Sequence, residues 1–302
     1  DAEIAARIDH DNASVASAAV PGLLPPARVD GEHYLDGGIV NSIPLGRAVE
    51  LGAPEHAIAA EPHELRAIAD VVEKFNAPMV KVTGGQRLDI FGIRKEDLPA
   101  VWADLNAAGM VSGHAYTKGL RTVKTCVGTD FCRFGTQDST GLGIKLEKAL
   151  WGSWTPHKVK MAVSGCPRNC AEATCKDLGI VCVDSGYQIG VGGAAGMDLK
   201  EIQPLASTPS EAEAMEIVVA FVQLYRENAK YLDRPYKWIA KVGMDWIKAQ
   251  VVEDPASRAA LIERFEISQS VYRKDPWAEH AKPAERKDWG PMADLTRMEA
   301  AE

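Results

Sequence analysis

The sequence predicts an α+β fold with a helical C-terminal region, and three observations lead to that prediction. The segments "KVKMAVS", "LGIVCVD" and "YQIGVGG" are short and bounded by turn residues, as strands are. Before them, "ELRAIADVVEKFN" and "KEDLPAVWADLNAAG" have apolar residues at helical spacing on either side of the short strand "MVKVT". After them, the pattern is helical to near the end. The order helix, strand, helix, then strands, then helices indicates the α+β class.

Composition and charge narrow the classes of partner. The chain has 302 residues, 46% of them apolar and 25% charged, which is an ordinary globular balance. Its formal net charge of -8 argues against general binding to nucleic acid or to a membrane surface, so an anion site has to be built locally. There is no apolar run of about 18 residues and no signal-peptide pattern. We expect a soluble, cytoplasmic protein.

The first part of the chain differs in composition from the remainder. Residues 1–58 are rich in alanine, glycine and proline, and predict a loop, a short strand, a glycine turn and a helix from about Pro44 to Leu51. The next helix has an apolar stripe made of Leu65, Ile68, Val72 and Phe75. Gly109 is expected to end the second helix.

The helices after the strand region carry their own start signals. Thr208, Pro209 and Glu211 predict a capping box with proline at the first helical position. Further helices are expected over "YKWIAKVGMDWIKAQVV" and from Pro255. The polar tail after about Arg273 is expected to fray.

Six cysteines lie between residues 126 and 182, and the rest of the chain has none. In a chain without an export signal, such clustering favours a metal or redox site over a disulfide framework. Four of them form two pairs, Cys126 with Cys132 and Cys166 with Cys170. Paired zinc ligands are usually separated by about two to four residues, whereas the first pair here is wider. Wide, uneven spacing therefore favours a 4Fe-4S cluster over zinc.

The second cysteine pair lies inside a longer motif. The motif is Ser or Thr, Gly, Cys-x3-Cys, six further residues, then an acidic, an aliphatic, a small and an aliphatic residue. It is filled by Ser164, Gly165, Cys166, Cys170, Asp177, Leu178, Gly179 and Ile180. With its flanking sequence, this stretch resembles the sirohaem and 4Fe-4S module of the nitrite and sulfite reductase family, especially the large subunits of assimilatory NAD(P)H nitrite reductases. The resemblance extends from about residue 62 to about residue 295.

The resemblance implies two cofactors, a 4Fe-4S cluster and sirohaem. Carried over from the family, Cys126, Cys132 and Cys166 hold the cluster only, and Cys170 is shared between the cluster and the sirohaem iron. A shared thiolate would let electrons pass to the substrate with almost no gap. The other two cysteines, Cys175 and Cys182, match no ligand position and are expected to be structural.

Hydrogen bonds to the cluster sulfurs are expected from the ligand loop itself. Backbone N–H groups of Arg168 and Asn169 lie between Cys166 and Cys170 in the sequence and are candidates for these bonds. Such bonds, together with burial, would tune the cluster potential.

The implied reaction is the six-electron reduction of nitrite to ammonium, with sulfite reduction on the same scaffold as the alternative. Oxygens of the bound anion must be protonated and expelled as water, which calls for cationic side chains. Arg121, Lys158 and Lys160 align with family positions that form this pocket. Lys158 and Lys160 are two apart on a predicted strand and so share one face. Without the resemblance, a solvated strand edge would be the better interpretation.

Further arginines are candidates for contact with the cofactor. "TGGQR" resembles a Thr-x-Arg-Gln segment of the family, but Gly85 stands where the family has arginine and Arg87 is displaced by two. We expect Arg87 either to replace that cation or to bind carboxylates of sirohaem. Arg133 and Arg168 are also candidates for those carboxylates, with ordinary surface arginines as the alternative.

The resemblance also implies partners. Two-repeat members of the family hold two copies of this unit, and only one is found here, so a homodimer is expected. Electrons would come from a flavin domain or subunit, because the resemblance includes no FAD or NAD(P)H module. NADH alone is therefore expected to give no activity.

The first segment resembles a different family. "ARVDGEHYLDGGIVNSIPLGRAVELGA" is similar to the C-terminal part of patatin-like phospholipases, and Asp36 matches the aspartate of their Ser-Asp dyad. No G-x-S-x-G elbow for the serine is present in the sequence, and without that serine the aspartate cannot hydrolyse an ester. A binding-only remnant, or an inactive fusion of the two parts, is the alternative to the reductase.

These interpretations divide the chain into three parts. Residues 1–58 are expected to be an incomplete patatin-like α/β remnant. Residues 59–119 are expected to form a ferredoxin-like half domain, and residues 120–295 the sirohaem and 4Fe-4S α+β domain with its helical tail.

Overall fold

The computed structural model describes residues 62–114 and 118–281, and the backbone of three short strands before them. These strands are β1 (Ala27–Val29), β2 (Glu32–Tyr34) and β3 (Ser42–Pro44), of which β1 and β2 pair antiparallel. Pro44, where a helix was expected to start, is the last residue of β3. The rest of that predicted helix lies outside the described residues.

The first described unit packs two helices against one face of an antiparallel sheet in the order β3-β5-β4. Its elements are α1 (Pro62–Lys74), β4 (Met79–Val82), β5 (Arg87–Phe91) and α2 (Leu98–Ala107). Leu88 and Ile90 of β5 pack against the helices. The predicted stripe of α1 is partly wrong, because Ile68 and Val71 are its buried apolar residues and Leu65 is 49% exposed.

The larger unit is built on a five-stranded sheet in the order β12-β9-β8-β7-β6. Its strands are β6 (Lys124–Thr125), β7 (Met161–Ser164), β8 (Leu178–Val183), β9 (Gly186–Val191) and β12 (Gln203–Thr208). Between β9 and β12, β10 (Ala194–Ala195) and β11 (Leu199–Lys200) pair with each other. β6, β7 and β8 are parallel, whereas β9 and β12 continue antiparallel. The three strands predicted in this region are confirmed, but the first starts only at Met161, so the prediction that Lys158 and Lys160 share a strand face is wrong.

The remaining described helices follow in chain order, and the last of them packs against the first unit. They are α3 (Gly128–Phe131), α4 (Ser139–Leu150), α5 (Glu211–Asn228), α6 (Pro235–Val242), α7 (Met244–Lys248), α8 (Pro255–Tyr272) and α9 (Pro276–Ala281). Leu142 and Leu146 of α4 and Phe221 of α5 share one apolar core with Ile180 of β8. Across the described residues, every helix is too short or too polar to cross a bilayer.

Two predicted helix boundaries differ from the structure. The N-cap of α5 is Ser210, whose hydroxyl accepts a hydrogen bond from the Glu213 backbone N–H at 3.3 Å. The predicted capping box of Thr208 and Glu211 is therefore wrong, and Thr208 instead donates its hydroxyl to the Glu213 carboxylate. The helix predicted over residues 236–252 is interrupted at Gly243, which has φ +85° and separates α6 from α7.

The C-terminal tail does not fray where the sequence predicts. After Arg273, the Asp275 carboxylate accepts hydrogen bonds from Asn106 Nδ2 at 2.8 Å and from the Ser112 N–H at 3.0 Å. The α9 residue Trp277 is 3% exposed and belongs to the core of the first unit. The tail therefore packs on the first unit after leaving the second. Its polar composition alone does not reveal this contact.

We predict that Trp277→Ala destabilises the protein by about 3 kcal/mol, because it leaves a cavity where α9 packs on α2. The free energy of unfolding, measured by urea denaturation, tests this. Trp154→Ala is the matched control, since Trp154 is 45% exposed and its loss should cost less. An equal loss of unfolding free energy in the two variants would contradict the packing of Trp277 in this core.

Candidate functional site

The two cysteine pairs begin at the same edge of the sheet. Cys126 directly follows β6, and Cys166 comes two residues after β7. Because β6 and β7 are parallel, with Thr125 opposite Val163, their carboxyl ends lie side by side. Ligands commonly bind at the carboxyl ends of parallel strands. Sheet pairing therefore brings together cysteines that are distant in sequence.

Gly165 is the point where the two ligand loops touch. Its N–H donates a hydrogen bond of 3.1 Å to Cys126 Sγ. A Cβ at this position would stand 2.9 Å from Ser139 Oγ and 3.0 Å from Gly128 Cα. Only glycine allows this approach, which gives the glycine of the motif a steric reason.

The Cys126 thiol is surrounded by hydrogen-bond donors. Burial raises its pKa, but hydrogen bonds from Ser139 and from the backbone of Gly165 and Gly128 outweigh burial, so the pKa lies below its ordinary value. Ser139 Oγ is 3.3 Å from the sulfur. These groups favour a thiolate, which is the form that binds iron.

The loop that carries Cys132 is tied to the same point. The Cys132 N–H donates to the Gly128 carbonyl at 3.0 Å, closing the short helix α3. Thr136 donates to the Gly165 carbonyl from its backbone N–H at 2.7 Å and from its hydroxyl at 3.0 Å. Cys132 is half-buried.

The loop between Cys166 and Cys170 is shaped by Asn169. Asn169 has φ +57°, and its side-chain oxygen accepts hydrogen bonds from Ser164 Oγ at 3.1 Å and from the Thr174 N–H at 3.3 Å. Its backbone N–H donates to the Cys166 carbonyl at 3.1 Å. The expectation that this N–H bonds a sulfur is therefore wrong, because the turn uses it. Cys166 is buried and Cys170 is exposed.

The remaining two cysteines lie in different surroundings. Cys182 is buried in β8, and burial raises the pKa of its thiol to about 12. Cys175 is half-buried and its thiol donates to the Glu172 carbonyl at 3.3 Å. Their expected structural role stays a prediction.

The donor set fits a 4Fe-4S cluster. All six thiols are free of disulfides, and the Gly165 N–H points at one of the candidate ligand sulfurs, as is usual around such clusters. Within residues 62–114 and 118–281, no three His, Cys, Asp or Glu side chains are placed to share a single ion. A four-iron cluster takes one thiolate at each iron, so its ligands need not converge on one point.

The predicted catalytic cations are brought together. Leu120 forms a parallel bridge with Val159, and the Arg121 N–H donates to the Val159 carbonyl at 2.9 Å. This places Arg121 beside Lys158 and Lys160. Burial, and next the Arg121 guanidinium, lower the pKa of Lys158. Burial, and next Arg234, lower the pKa of Lys160.

Arg234 and Asp177 join this cluster, and sequence reasoning did not assign Arg234. Arg234 Nη2 lies 2.7 Å from both carboxylate oxygens of Asp177, which is fully buried. Asp177 also accepts the Lys160 N–H at 2.8 Å. Burial raises the pKa of Asp177, and the facing guanidinium opposes that shift. The acidic position of the motif could have indicated a buried cation partner, but no local pattern identifies which one.

His157 lies within this group of cations. Its Nδ1 accepts the Lys158 N–H at 2.8 Å. Burial, and next the positive charges of Arg234, Lys158, Lys237 and Arg121, lower the pKa of His157 to about 4. The ring is therefore neutral around neutral pH.

Gln86 connects the first unit to β6 through hydrogen bonds, and Arg87 follows it as the first residue of β5. The Gln86 carboxamide exchanges two hydrogen bonds with Thr125, donating to its carbonyl at 2.6 Å and accepting its N–H at 2.9 Å. Burial lowers the pKa of Arg87, while Asp89 and Glu147 raise it. A Cβ at Gly85 would stand 2.9 Å from Arg87 Nη1. The Arg87 guanidinium thus occupies the space in which a side chain at 85 would begin.

The other candidate arginines, Arg133 and Arg168, are exposed and both contact the aromatic ring of Phe134. Arg168 Cζ lies 3.8 Å and Arg133 Cζ 4.5 Å from the centroid of the Phe134 ring, which is cation–π geometry. Both lie within two residues of a candidate ligand in sequence. Asp36 lies outside the described residues.

The candidate cations lie near the start of β7, and the candidate cysteine ligands lie near its end. Lys160 directly precedes this strand and Ser164 ends it. At about 3.3 Å per residue, their Cα atoms are about 13 Å apart. The structure therefore groups the cations with one another and the cysteines with one another.

We predict that acid destabilises the protein through His157. The folded chain keeps this ring neutral down to about pH 4, whereas an unfolded chain protonates near pH 6.5. The free energy of unfolding should therefore fall as the pH drops from 6.5 towards 4, and His157→Gln should reduce that fall. Urea denaturation at about pH 7 and about pH 5 measures it. His63→Gln is the control, because His63 is an exposed residue of α1. If the fall in unfolding free energy is undiminished in His157→Gln, the prediction is refuted.

Three family models match the chain. The nitrite and sulphite reductase 4Fe-4S domain matches residues 116–259. The nitrite/sulfite reductase ferredoxin-like half domain matches residues 46–108. The patatin-like phospholipase model matches residues 7–49, in a part of the chain of which only the backbone of β1, β2 and β3 is described.

Relatives at high identity are nitrite reductases. A nitrite reductase [NAD(P)H] of Bacillus subtilis is 53% identical over 71% of this chain and 26% of that protein. A nitrite reductase [NAD(P)H] large subunit of Klebsiella oxytoca is 43% identical over 71% of this chain and 23% of that protein. The chain thus spans about a quarter of the length of these relatives.

Solved structures share the fold. A dissimilatory sulfite reductase I has a TM-score of 0.56 at 14% identity, covering 71% of each chain. The NirA protein of Mycobacterium tuberculosis also has a TM-score of 0.56, at 18% identity, covering 64% of this chain and 38% of that one. The predicted α+β architecture is confirmed.

One relative is matched over nearly its whole length. An assimilatory-type sulfite reductase of Nitratidesulfovibrio vulgaris is 35% identical over 63% of this chain and 86% of that protein. With the two reductase family models, this match confirms the resemblance read from the cysteine motif: the chain belongs to the nitrite and sulfite reductase family.

Proposed function

We propose that this chain carries a sirohaem and 4Fe-4S site that reduces nitrite to ammonium. The observation that supports this best is the meeting of the two cysteine loops at Gly165, next to parallel strands. The 53% identity to a nitrite reductase favours nitrite as the substrate. Overall, nitrite would take up six electrons and eight protons and release ammonium and two water molecules.

The cysteines have distinct proposed roles. Cys126, Cys132 and Cys166 would hold the cluster, and Cys170 would be shared with the sirohaem iron. Cys170 is the exposed member, as a ligand facing a second cofactor needs to be. When bound, the two cofactors would pass electrons on from the donor and offer a metal site for the anion. The hydrogen bond from the Gly165 N–H would favour Cys126 as a thiolate.

The cations would bind and protonate the substrate. Arg121, Lys158 and Lys160 would attract the anion and neutralise its charge. The lowered pKa of Lys158 makes its Nζ a better proton donor near neutral pH than an ordinary lysine. Arg87 would add a fourth cation, since its guanidinium takes the place of a side chain at Gly85.

The arginines at the ligand loops would bind carboxylates of sirohaem. Arg133 and Arg168 both stack on Phe134, which limits where their guanidinium groups can go. Planar guanidinium groups match carboxylate geometry. Their positions next to Cys132 and two residues after Cys166 support this role.

Electrons would come from a separate donor. One relative, the assimilatory nitrate reductase electron transfer subunit of Bacillus subtilis, is 26% identical over 70% of this chain. We propose a flavin domain or subunit as the donor, so that FAD and NAD(P)H act only through it.

Sulfite reduction is the second candidate. The assimilatory-type sulfite reductase supports it, because the chain matches that protein over 86% of its length. Turnover of nitrite and of sulfite with reduced methyl viologen separates the two candidates.

The reductase proposal predicts that anaerobically reconstituted protein reduces nitrite with reduced methyl viologen and not with NADH alone. Cys126→Ser should lose iron, labile sulfide and activity together, because one corner of the cluster loses its thiolate. Cys182→Ala is the matched control and should keep all three.

Nitrite reduction by Cys126→Ser at the rate of the unmodified chain would exclude the proposed ligand set. Reconstituted protein that holds neither iron nor sirohaem would defeat the reductase proposal as a whole, and the inactive fusion would remain.

A homodimer is the proposed assembly, and the open edge of the first unit supports it. β4 is an outer strand of its sheet, and every residue in it is exposed. Val80 is 38% and Val82 73% exposed. Three of the four residues of β4 are apolar, the exception being Lys81, and such an edge strand is a template for pairing with another strand. A second copy of this chain offers the matching edge.

We predict that Val82→Lys converts a dimer into monomers, because a second charged side chain on this edge strand, next to Lys81, opposes pairing. Light scattering coupled to size-exclusion chromatography gives the mass. Ile267→Lys is the control, since Ile267 is equally apolar and 62% exposed on α8. Val82→Lys protein that keeps the dimer mass would contradict this edge as the interface.

A further inference from the structure

Two lysines next to the ligand loop share one carboxylate oxygen. Lys124 Nζ lies 3.0 Å and Lys176 Nζ 2.9 Å from Glu172 Oε2. The lysine side chains are only 16% and 13% exposed, whereas that of Glu172 is 59% exposed. In most surface ion pairs the lysine is the exposed member. Here the cations are held in the protein and the acid is open to solvent.

The sheet and the loop fix both ammonium groups. Lys124 lies in β6 opposite Ala162, which packs against the loop residues Ala171 and Ala173. Lys176 directly precedes the buried Asp177, and its Nζ is also 3.6 Å from Cys175 Sγ. Partly desolvated ammonium groups need an anion nearby. The pair is therefore a preformed carboxylate site, which we call the two-lysine cradle.

The cradle lies beside the exposed candidate ligand. Glu172 follows Cys170 by two residues and has φ +59°, an uncommon conformation for a non-glycine residue. Because Glu172 is largely in solvent, its own carboxylate is hydrated again when it leaves the cradle, whereas the two lysines then need another anion. A stronger or multivalent acid can then take its place.

We propose that the two-lysine cradle binds a carboxylate of the sirohaem macrocycle, and that Glu172 occupies the cradle until the cofactor displaces it. This inference rests on the proposed function. It assigns Lys124 and Lys176 to the cofactor, in addition to Arg133 and Arg168. One carboxylate replaces another, so charge in the cradle is conserved and no bond is made or broken.

A purely structural role for the same contacts makes a different prediction. If Glu172 only ties the ligand loop to β6, then removing either partner loosens the loop, and both changes weaken cofactor binding. If Glu172 competes with the cofactor, removing Glu172 strengthens binding and removing a lysine weakens it. The two variants of one ion pair thus move affinity in opposite directions only under the proposal.

The test is a titration of the anaerobically cluster-reconstituted chain with sirohaem, followed by visible absorption. Lys124→Met should weaken binding by roughly tenfold, the loss of one charge-assisted hydrogen bond. Glu172→Gln should tighten binding by about threefold or more, because the competing charge is gone. Lys145→Met is the matched control, as Lys145 pairs with Glu211 on α5 and should leave affinity unchanged. Thermal unfolding of each variant checks that the fold is intact.

Weaker or unchanged binding in Glu172→Gln would overturn the inference, as would unchanged binding in a folded Lys124→Met. In both cases the unmodified chain still binds sirohaem, so the proposed function stands. If the unmodified chain holds the cluster but binds no sirohaem, the proposed function fails and the inference fails with it.

Discussion

The close contact of two loops at Gly165 is the constraint on which the site depends. A hydrogen is the only side chain that fits between Ser139 and Gly128, and it lets the Gly165 N–H reach Cys126 Sγ. The Gly165 carbonyl is held by Thr136 from the other loop. One residue therefore joins both cysteine pairs, and any larger side chain would push them apart.

The other fixed positions of the motif have physical reasons of the same kind. The loop after Cys166 returns across the sheet, and a Cβ at Gly179 would stand 2.1 Å from the Ala173 carbonyl oxygen. Ser164 Oγ bonds both Asn169 and the Ala171 N–H, which sets the path of the loop. Asp177 anchors its end through Arg234. The motif thus specifies a loop shape as well as two candidate ligands.

Local patterns predicted the strands β4, β7, β8 and β9 and the helices α1, α2, α5 and α8, because each has its own period and turn residues. The strands β5, β6 and β12 and the helix α4 were not predicted. They also indicated the cysteine pairs, since spacing and clustering are visible in the chain. Arg234 was not predicted, because it stands far from Asp177 in sequence and only the fold brings them together. Trp277 was missed for the same reason, as its partners lie in the first unit. At α5, two overlapping cap patterns competed, and Ser210 with Glu213 formed instead of the pattern two residues earlier.

Four cysteines from two loops are proposed to hold one 4Fe-4S cluster. X-ray absorption at the iron edge of the reconstituted protein tests it most directly. We expect iron surrounded by sulfur with a second shell of iron neighbours, which only a multi-iron cluster produces. Isolated iron with no iron neighbour, or zinc in place of iron, would show that these cysteines do not hold a 4Fe-4S cluster.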